Sequence, residues 1–176
     1  MKRGDMIGVF LAGLIALVVQ GSGALAEIQM PKPERTNAEP AVLREFEAFY
    51  AEIEAALAAE DIDRLMSYYA EDYLHRGITK KQLRFMWLEI LSEFSELYSV
   101  HIFAKIDVYG GDAILACTGA LLGIPLEGGD YQAVDRWVNQ NHWLTKVGGR
   151  WKMIGGATHE VPSRPGSRTL ELHPLF

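Results

Sequence analysis

The hydrophobic pattern of this chain changes its period once, near Ser99, and that change limits the folds open to it. Before Ser99, apolar residues recur at spacings of three and four, which predicts amphipathic helices at 40–59, 62–70 and 79–97. After Ser99, apolar and polar residues alternate, and glycine-rich turns separate four strands. The order predicts an α+β domain, with three N-terminal helices packed on a four-stranded antiparallel sheet.

The first 26 residues have the pattern of a secretory signal. Lys2 and Arg3 precede an uncharged apolar run, Ile7–Val19, and Ala24-Leu25-Ala26 has the small residues of a cleavage site. A membrane anchor is the alternative, but a spanning helix needs about 20 apolar residues. We therefore predict cleavage after Ala26, no later membrane association, and a periplasmic or secreted protein.

Prolines and charges set the remaining boundaries. Residues 27–39 contain Pro31 and Pro33 among charged residues, which predicts an extended linker. Residues 40–160 hold all the predicted helices and strands and are expected to form one domain. Residues 161–176 contain three prolines and are expected to form an irregular tail.

Charge and cysteine content exclude several classes of partner and cofactor. The net charge is −6 and no run of Lys or Arg occurs, which argues against nucleic acid and anionic membranes as partners. Cys117 is the single cysteine and lies in an apolar run, so we expect a buried thiol. The histidines lack metal-site spacing, His101 is expected to point outward, and no nucleotide motif occurs. The sequence thus predicts no metal and no cofactor.

Two segments resemble a known family. Residues 60–77 read EDIDRLMSYYAEDYLHRG, and residues 143–154 read WLTKVGGRWKMI. Together they are similar to the nuclear-transport-factor-2-like superfamily, especially its SnoaL-like branch, over about residues 39–158. The resemblance implies a cone-shaped domain whose curved sheet encloses a pocket, and a homodimer formed through the outer sheet face. Members include isomerases, dehydratases, cyclases and binding proteins, so the fold alone gives no function.

His75 and Asp135 are the candidate catalytic residues. His75 lies in the stretch that the resemblance places at the pocket mouth, where a neutral imidazole can transfer protons. A histidine bonded to a loop carbonyl is the alternative. Ketosteroid isomerases of this superfamily have a carboxylate base near this region, whereas this chain has His75-Arg76-Gly77, which argues against that route. Asp135, in a polar strand, is the natural acid–base partner.

Aromatic and amide side chains are expected to line a ligand pocket. In a regular strand, Asp135, Trp137, Asn139 and Asn141 share one face, and His142 lies on the other. Burying so many polar groups is unfavourable unless they are paired or solvated, so a pocket or an exposed outer face would explain them. The helices add aromatic residues, which an ordinary core would also explain. The predicted pocket residues are Tyr50, Tyr69, Tyr73, Trp87, Trp137, Asn139 and Asn141.

Three functions fit these observations, and the sequence leaves open whether the chain is an enzyme. The first is an exported domain that binds a small, partly apolar molecule without catalysis. The second is a cofactor-free proton-transfer enzyme, such as a dehydratase, isomerase or cyclase, that uses His75 and Asp135. The third is a protein-interaction module whose contact segment is the tail at 172–176.

Overall fold

The computed structural model describes residues 27–155 and Leu175. The predicted signal segment with its cleavage site at Ala26 lies outside the described residues, as does the predicted tail except for Leu175. Within the described part, no helix has the length and apolarity needed to cross a membrane.

Local sequence signals set the helix boundaries. Helix α1 (Pro40–Ala58) begins with a proline, whose fixed φ suits the first helical turn. Helix α2 (Ile62–Met66) is shorter than predicted and begins where the Asp61 side chain accepts the N–H of Arg64. Helix α3 (Lys80–Glu93) begins with a capping box between Thr79 and Gln82.

The strands form one five-stranded sheet and one small hairpin. Strand β1 (Glu27–Gln29) lies at one edge. The hairpin consists of β2 (Leu74–His75) and β3 (Ile78–Thr79). The other members of the main sheet are antiparallel neighbours in chain order: β4 (Phe94–Tyr109), β5 (Asp112–Pro125), β6 (Gln132–Val147) and β7 (Arg150–Met153).

The predicted α+β class is confirmed, and the strand count differs. Strand β1 comes from the stretch predicted to be a linker, and it pairs with β4 in parallel, with Ile28 opposite His101. The third helix ends at Glu93, so Phe94 and Leu97 belong to β4. Glu96 has a φ of +49° and lies at a register shift between β4 and β5. This irregularity puts Phe94 and Leu97, which are three residues apart, on the same side of β4, where both lie beside Gly123.

The core lies between the inner face of the sheet and helices α1 and α3. The predicted stripes of α1 and α3 face the core, with Tyr50 and Ile53 of α1 and Trp87 of α3 fully enclosed and with Leu43 and Ile90 half-buried. From the sheet, Leu115 and Leu144 complete this core. The packing places one face of α1 against β4, and Tyr50 on that face also reaches His142 of β6.

Candidate active site

Polar side chains from α1 and three strands meet inside this core. They are Tyr50, Glu54, Ser99, His101, Cys117, Trp137 and His142, and we call them the interior polar cluster. Each of them is buried. Burying polar groups is unfavourable unless they are hydrogen-bonded, and contacts among the cluster's own members supply many of the hydrogen bonds.

A hydrogen-bonded chain links a carboxyl group of α1 to an imidazole of β4. The backbone N–H of Ser99 donates to Glu54 Oε2 at 2.9 Å, and the Ser99 hydroxyl contacts Glu54 Oε1. The same hydroxyl lies 2.6 Å from His101 Nε2. Burial raises the pKa of Glu54 to about 7, although the hydrogen bonds from Ser99 oppose this shift. Glu54 can therefore gain or lose a proton near neutral pH.

A second pair joins α1 to β6. The Tyr50 hydroxyl lies 2.6 Å from His142 Nδ1, and the Tyr50 ring packs 4.7 Å from the His101 ring, centroid to centroid. Burial raises the pKa of Tyr50 well above its ordinary value, so the phenol keeps its proton. Both imidazoles thus contact a side chain of the same helix.

Cys117 lies on β5, the strand between β4 with His101 and β6 with His142. Its Sγ is 3.6 Å from His101 Nδ1, and Trp137 Nε1 donates to it at 3.3 Å. The thiol is buried, as expected, and burial raises its pKa to about 12. Gly119 provides the space for the Trp137 ring, because an added Cβ would lie 2.6 Å from Trp137 Cζ2. The thiol is therefore held between an indole and an imidazole.

The cluster also contains three groups that are metal ligands in other proteins. One ligand atom each from His101, Cys117 and His142 lies within 4.8 Å of the others. They come from β4, β5 and β6, so no short motif along the chain could reveal them. The expectation of no metal site was based on the spacing of histidines and cysteine along the sequence. In the structure, the pairing of three strands brings these groups together.

Another hydrogen-bonded group lies at α3. Trp87 Nε1 donates to the Tyr69 hydroxyl at 3.1 Å, and that hydroxyl donates to the carbonyl oxygen of Leu175. The Tyr73 ring meets the Tyr69 ring edge-on at 5.5 Å. Five of the predicted pocket residues, namely Tyr50, Tyr69, Tyr73, Trp87 and Trp137, are buried in the interior, and Leu175 joins them.

His75 and Asp135 lie in different parts of the domain. His75 is buried on β2 beside Gly155. A Cβ added to Gly155 would lie 3.1 Å from the Cβ of His75. The backbone next to it is linked through Ile154 to Trp143 of β6. Asp135 is half-buried on β6 opposite Leu121 of β5, eight residues before Trp143. The backbone beside His75 is thus linked to the second half of β6, whereas Asp135 lies near the start of that strand.

A bulge at Asn139 changes which residues of β6 face inward. Asn139 has a φ of +50°, is exposed, and donates its backbone N–H to Thr118 Oγ1 at 2.9 Å. The bulge adds one residue, so His142 shares the inner face with Trp137, and Asn141 lies on the outer face opposite Ala116. The regular alternation expected for this strand is therefore wrong beyond Asn139, and neither asparagine reaches the interior polar cluster.

The orientation expected for His101 is also wrong. His101 is fully buried, whereas Ile102 is 41% exposed. The alternation of Val100, Ile102 and Ile106 with His101 indicated the opposite. A register shift between Phe103 and Lys105 interrupts this alternation, so the buried Ile106 shares the inner face with His101 although Ile102 lies outside. A usable signal was Glu54, a carboxyl between Ile53 and Leu57 on the buried stripe of α1, which requires a polar partner across the core.

A surface groove of about 260 Å³ lies outside the interior polar cluster. It runs between α1 and β7 and is lined by residues that include Glu45, Phe49, Tyr68 and Trp151. No member of the cluster lines it. The groove and the cluster are thus separate features.

Comparison with known proteins identifies the fold. No family model and no curated protein matches the sequence. A candidate aromatic ring hydroxylase from Novosphingobium aromaticivorans is 15% identical, with a TM-score of 0.56 over 68% of this chain and 88% of that chain. A candidate scytalone dehydratase from the same organism is 14% identical, with a TM-score of 0.54 over 73% and 95%.

The protein Aln2 from a Streptomyces species has the same architecture. It is 14% identical, with a TM-score of 0.55 over 67% of this chain and 89% of that chain. The domain therefore shares its α+β fold with these proteins, which is consistent with the resemblance to the nuclear-transport-factor-2-like superfamily seen in the sequence. At these identities the likeness shows the fold alone, and that fold is compatible with ligand binding or with proton transfer.

Proposed function

We propose that this protein transfers protons to and from a small, partly apolar molecule held inside the cone. One observation carries the proposal: the chain from Glu54 through Ser99 to His101 lies beside the Tyr50–His142 pair. Two imidazoles, a phenol and a carboxyl group that titrates near neutral pH form a set of general acids and bases in one enclosed region.

Each group has a distinct chemical role. A neutral imidazole of His101 or His142 removes or returns a proton, which is the commonest role of histidine in catalysis. Glu54 adjusts the charge of His101 through the Ser99 hydroxyl. The phenol of Tyr50 keeps its proton and can donate a hydrogen bond toward negative charge that develops on a substrate oxygen.

This proposal assigns the acid–base chemistry to the interior polar cluster and not to His75 and Asp135. It also favours the enzyme hypothesis over binding without catalysis, because acid–base groups converge inside the core. One structural neighbour is named as a candidate scytalone dehydratase. Dehydration removes a proton and a hydroxyl group, so it is a reaction class that such a cluster could serve.

A simple base-catalysed reaction tests the proposal. The probe is 5-nitrobenzisoxazole, whose ring opens when one carbon-bound proton is removed and whose phenolate product absorbs visible light. The wild-type protein should open this ring faster than free imidazole at the same concentration. His101→Asn and His142→Asn should each lower the rate about a hundredfold, since general acid–base catalysis contributes about that factor.

Asp135→Asn is the control, because Asp135 lies outside the cluster, and circular dichroism would verify the fold of each variant. A wild-type rate equal to that of free imidazole would contradict the proposal. A loss confined to Asp135→Asn and His75→Asn would support the pair expected from the sequence instead.

Two further proposals concern the cellular location of the protein and its oligomeric state. We propose a periplasmic or secreted location from residues 1–26, and fractionation of the source cells would test it. We also propose a homodimer through the outer sheet face, where Ile102 is 41% and Val138 is 75% exposed. Sedimentation analysis of the purified protein would test this pairing.

A further inference from the structure

We propose that His101, Cys117 and His142 bind one transition-metal ion of the Zn²⁺ class. Two imidazole nitrogens and one thiolate form the ligand set, and an ion held by three protein ligands keeps a fourth position for water or another ligand. The inference rests on the geometry of the cluster and does not depend on the proposed proton transfer.

The spacing of the ligand atoms suits such an ion. Bonds of about 2.3 Å to sulfur and about 2.05 Å to nitrogen, at a tetrahedral angle, put the two ligand atoms about 3.6 Å apart. His101 Nδ1 lies 3.6 Å from Cys117 Sγ. The three ligand atoms lie within 4.8 Å of one another, so side-chain movements of about an ångström would bring all three to bonding distance of one ion.

The opposite nitrogen of each imidazole already has a partner. His101 Nε2 contacts the Ser99 hydroxyl, which contacts Glu54, and His142 Nδ1 contacts the Tyr50 hydroxyl. Metal-binding histidines almost always donate their second N–H in this way, because the partner fixes the tautomer and the ring orientation. We therefore assign His101 Nδ1 and His142 Nε2 to the ion.

The sulfur ligand is supported in the same way. Trp137 Nε1 donates to Cys117 Sγ at 3.3 Å, and a donor of this kind stabilises the negative charge of a bound thiolate. All three ligands are 0% exposed and lie on neighbouring strands, which fixes their positions relative to one another. A set of two nitrogens and one sulfur favours Zn²⁺ or copper over Mg²⁺ and Ca²⁺.

This site shares its histidines with the proposed proton-transfer function. A bound ion occupies the nitrogens that would exchange protons, so it should inhibit ring opening of 5-nitrobenzisoxazole if that function exists. The test of the site therefore measures metal binding and not activity, and the two proposals can fail separately.

Titration of the full chain, free of any affinity tag, with Co²⁺ is the first experiment. Binding of one Co²⁺ per chain should produce the thiolate-to-metal absorption band and the intense visible bands of a tetrahedral ion, and Zn²⁺ should abolish them. Cys117→Ser should remove the thiolate band, and His142→Gln should weaken Zn²⁺ binding at least tenfold. His75→Asn, a buried histidine outside the site, is the matched control.

Tyr50→Phe tests the supporting hydrogen bond. Loss of such a partner typically lowers metal affinity about tenfold or more, and the absorption bands should persist. If Cys117→Ser does not fold, X-ray absorption of wild-type protein with bound Zn²⁺ identifies the donors, and one sulfur and two histidine nitrogens are expected. The inference is overturned if no Co²⁺ binds the wild type, if Cys117→Ser keeps the thiolate band, or if no sulfur donor is found.

Discussion

Substitution of Glu54 by Gln should change how the stability of the fold depends on pH. Glutamine imitates the protonated carboxyl group: its oxygen can accept the Ser99 N–H, and its amide can donate to the Ser99 hydroxyl, which keeps the contact to His101. The variant therefore retains the hydrogen bonds of the cluster and removes only the titration of Glu54.

The sign of the effect follows from the raised pKa. Burial keeps the proton on Glu54 up to about pH 7, whereas the unfolded chain releases it near pH 4.5. Between these values the unfolded state binds fewer protons than the folded state, so the free energy of unfolding falls as the pH rises. A pKa that changes from 4.5 to about 7 corresponds to about 3 kcal/mol, at about 1.4 kcal/mol per pKa unit.

Urea unfolding of both proteins in the presence of a chelator measures this quantity. From about pH 4 to about pH 8, Glu54→Gln should gain about 3 kcal/mol of stability relative to wild type. Glu47→Gln, an exposed substitution on the same helix, is the matched control and should follow the wild type. If the difference between Glu54→Gln and wild type is the same at every pH, Glu54 does not keep its proton in the folded protein, and the reasoning fails.

Two further substitutions test the packing around the cluster. Tyr50→Phe removes the hydroxyl that contacts His142 and should destabilise the fold by about 1–3 kcal/mol in urea unfolding, because it leaves a buried polar atom without this partner. Gly119→Ala should cost more than about 3 kcal/mol, since its Cβ would overlap the Val100 carbonyl oxygen and the Trp137 ring. Gly111→Ala, whose Cβ would meet nothing within 4 Å, should change the melting temperature little; equal losses in both glycine variants would contradict this packing.

The fold was predictable from the sequence because its signals are local. The buried stripe of α1, the cap at Thr79 and the turns at Gly110-Gly111 and Gly148-Gly149 each depend on residues that are neighbours in the chain. The fifth strand was missed since β1 pairs with β4 about 70 residues away, and no short-range pattern marks such a pairing.

The candidate site was not predictable in the same way, because its residues depend on register. The bulge at Asn139 determines that His142 faces inward, and the register shift between Phe103 and Lys105 breaks the alternation of β4 from which the direction of His101 was inferred. Tyr50 and Trp137, which the sequence placed either in a ligand pocket or in an ordinary core, are buried. What the sequence could not indicate is that Glu54, Ser99 and Cys117 meet them there.

The central claim is that Glu54, Ser99 and His101 form one connected acid–base chain beside Tyr50 and His142. Nitrogen NMR of the histidine side chains, recorded across neutral pH in wild type and Glu54→Gln, tests it most directly. The account predicts that the His101 signals of the wild type change near pH 7, with Glu54, and that this change disappears in Glu54→Gln. If the His101 signals depend on pH in the same way in both proteins, Glu54 and His101 are not connected through Ser99, and the account is contradicted.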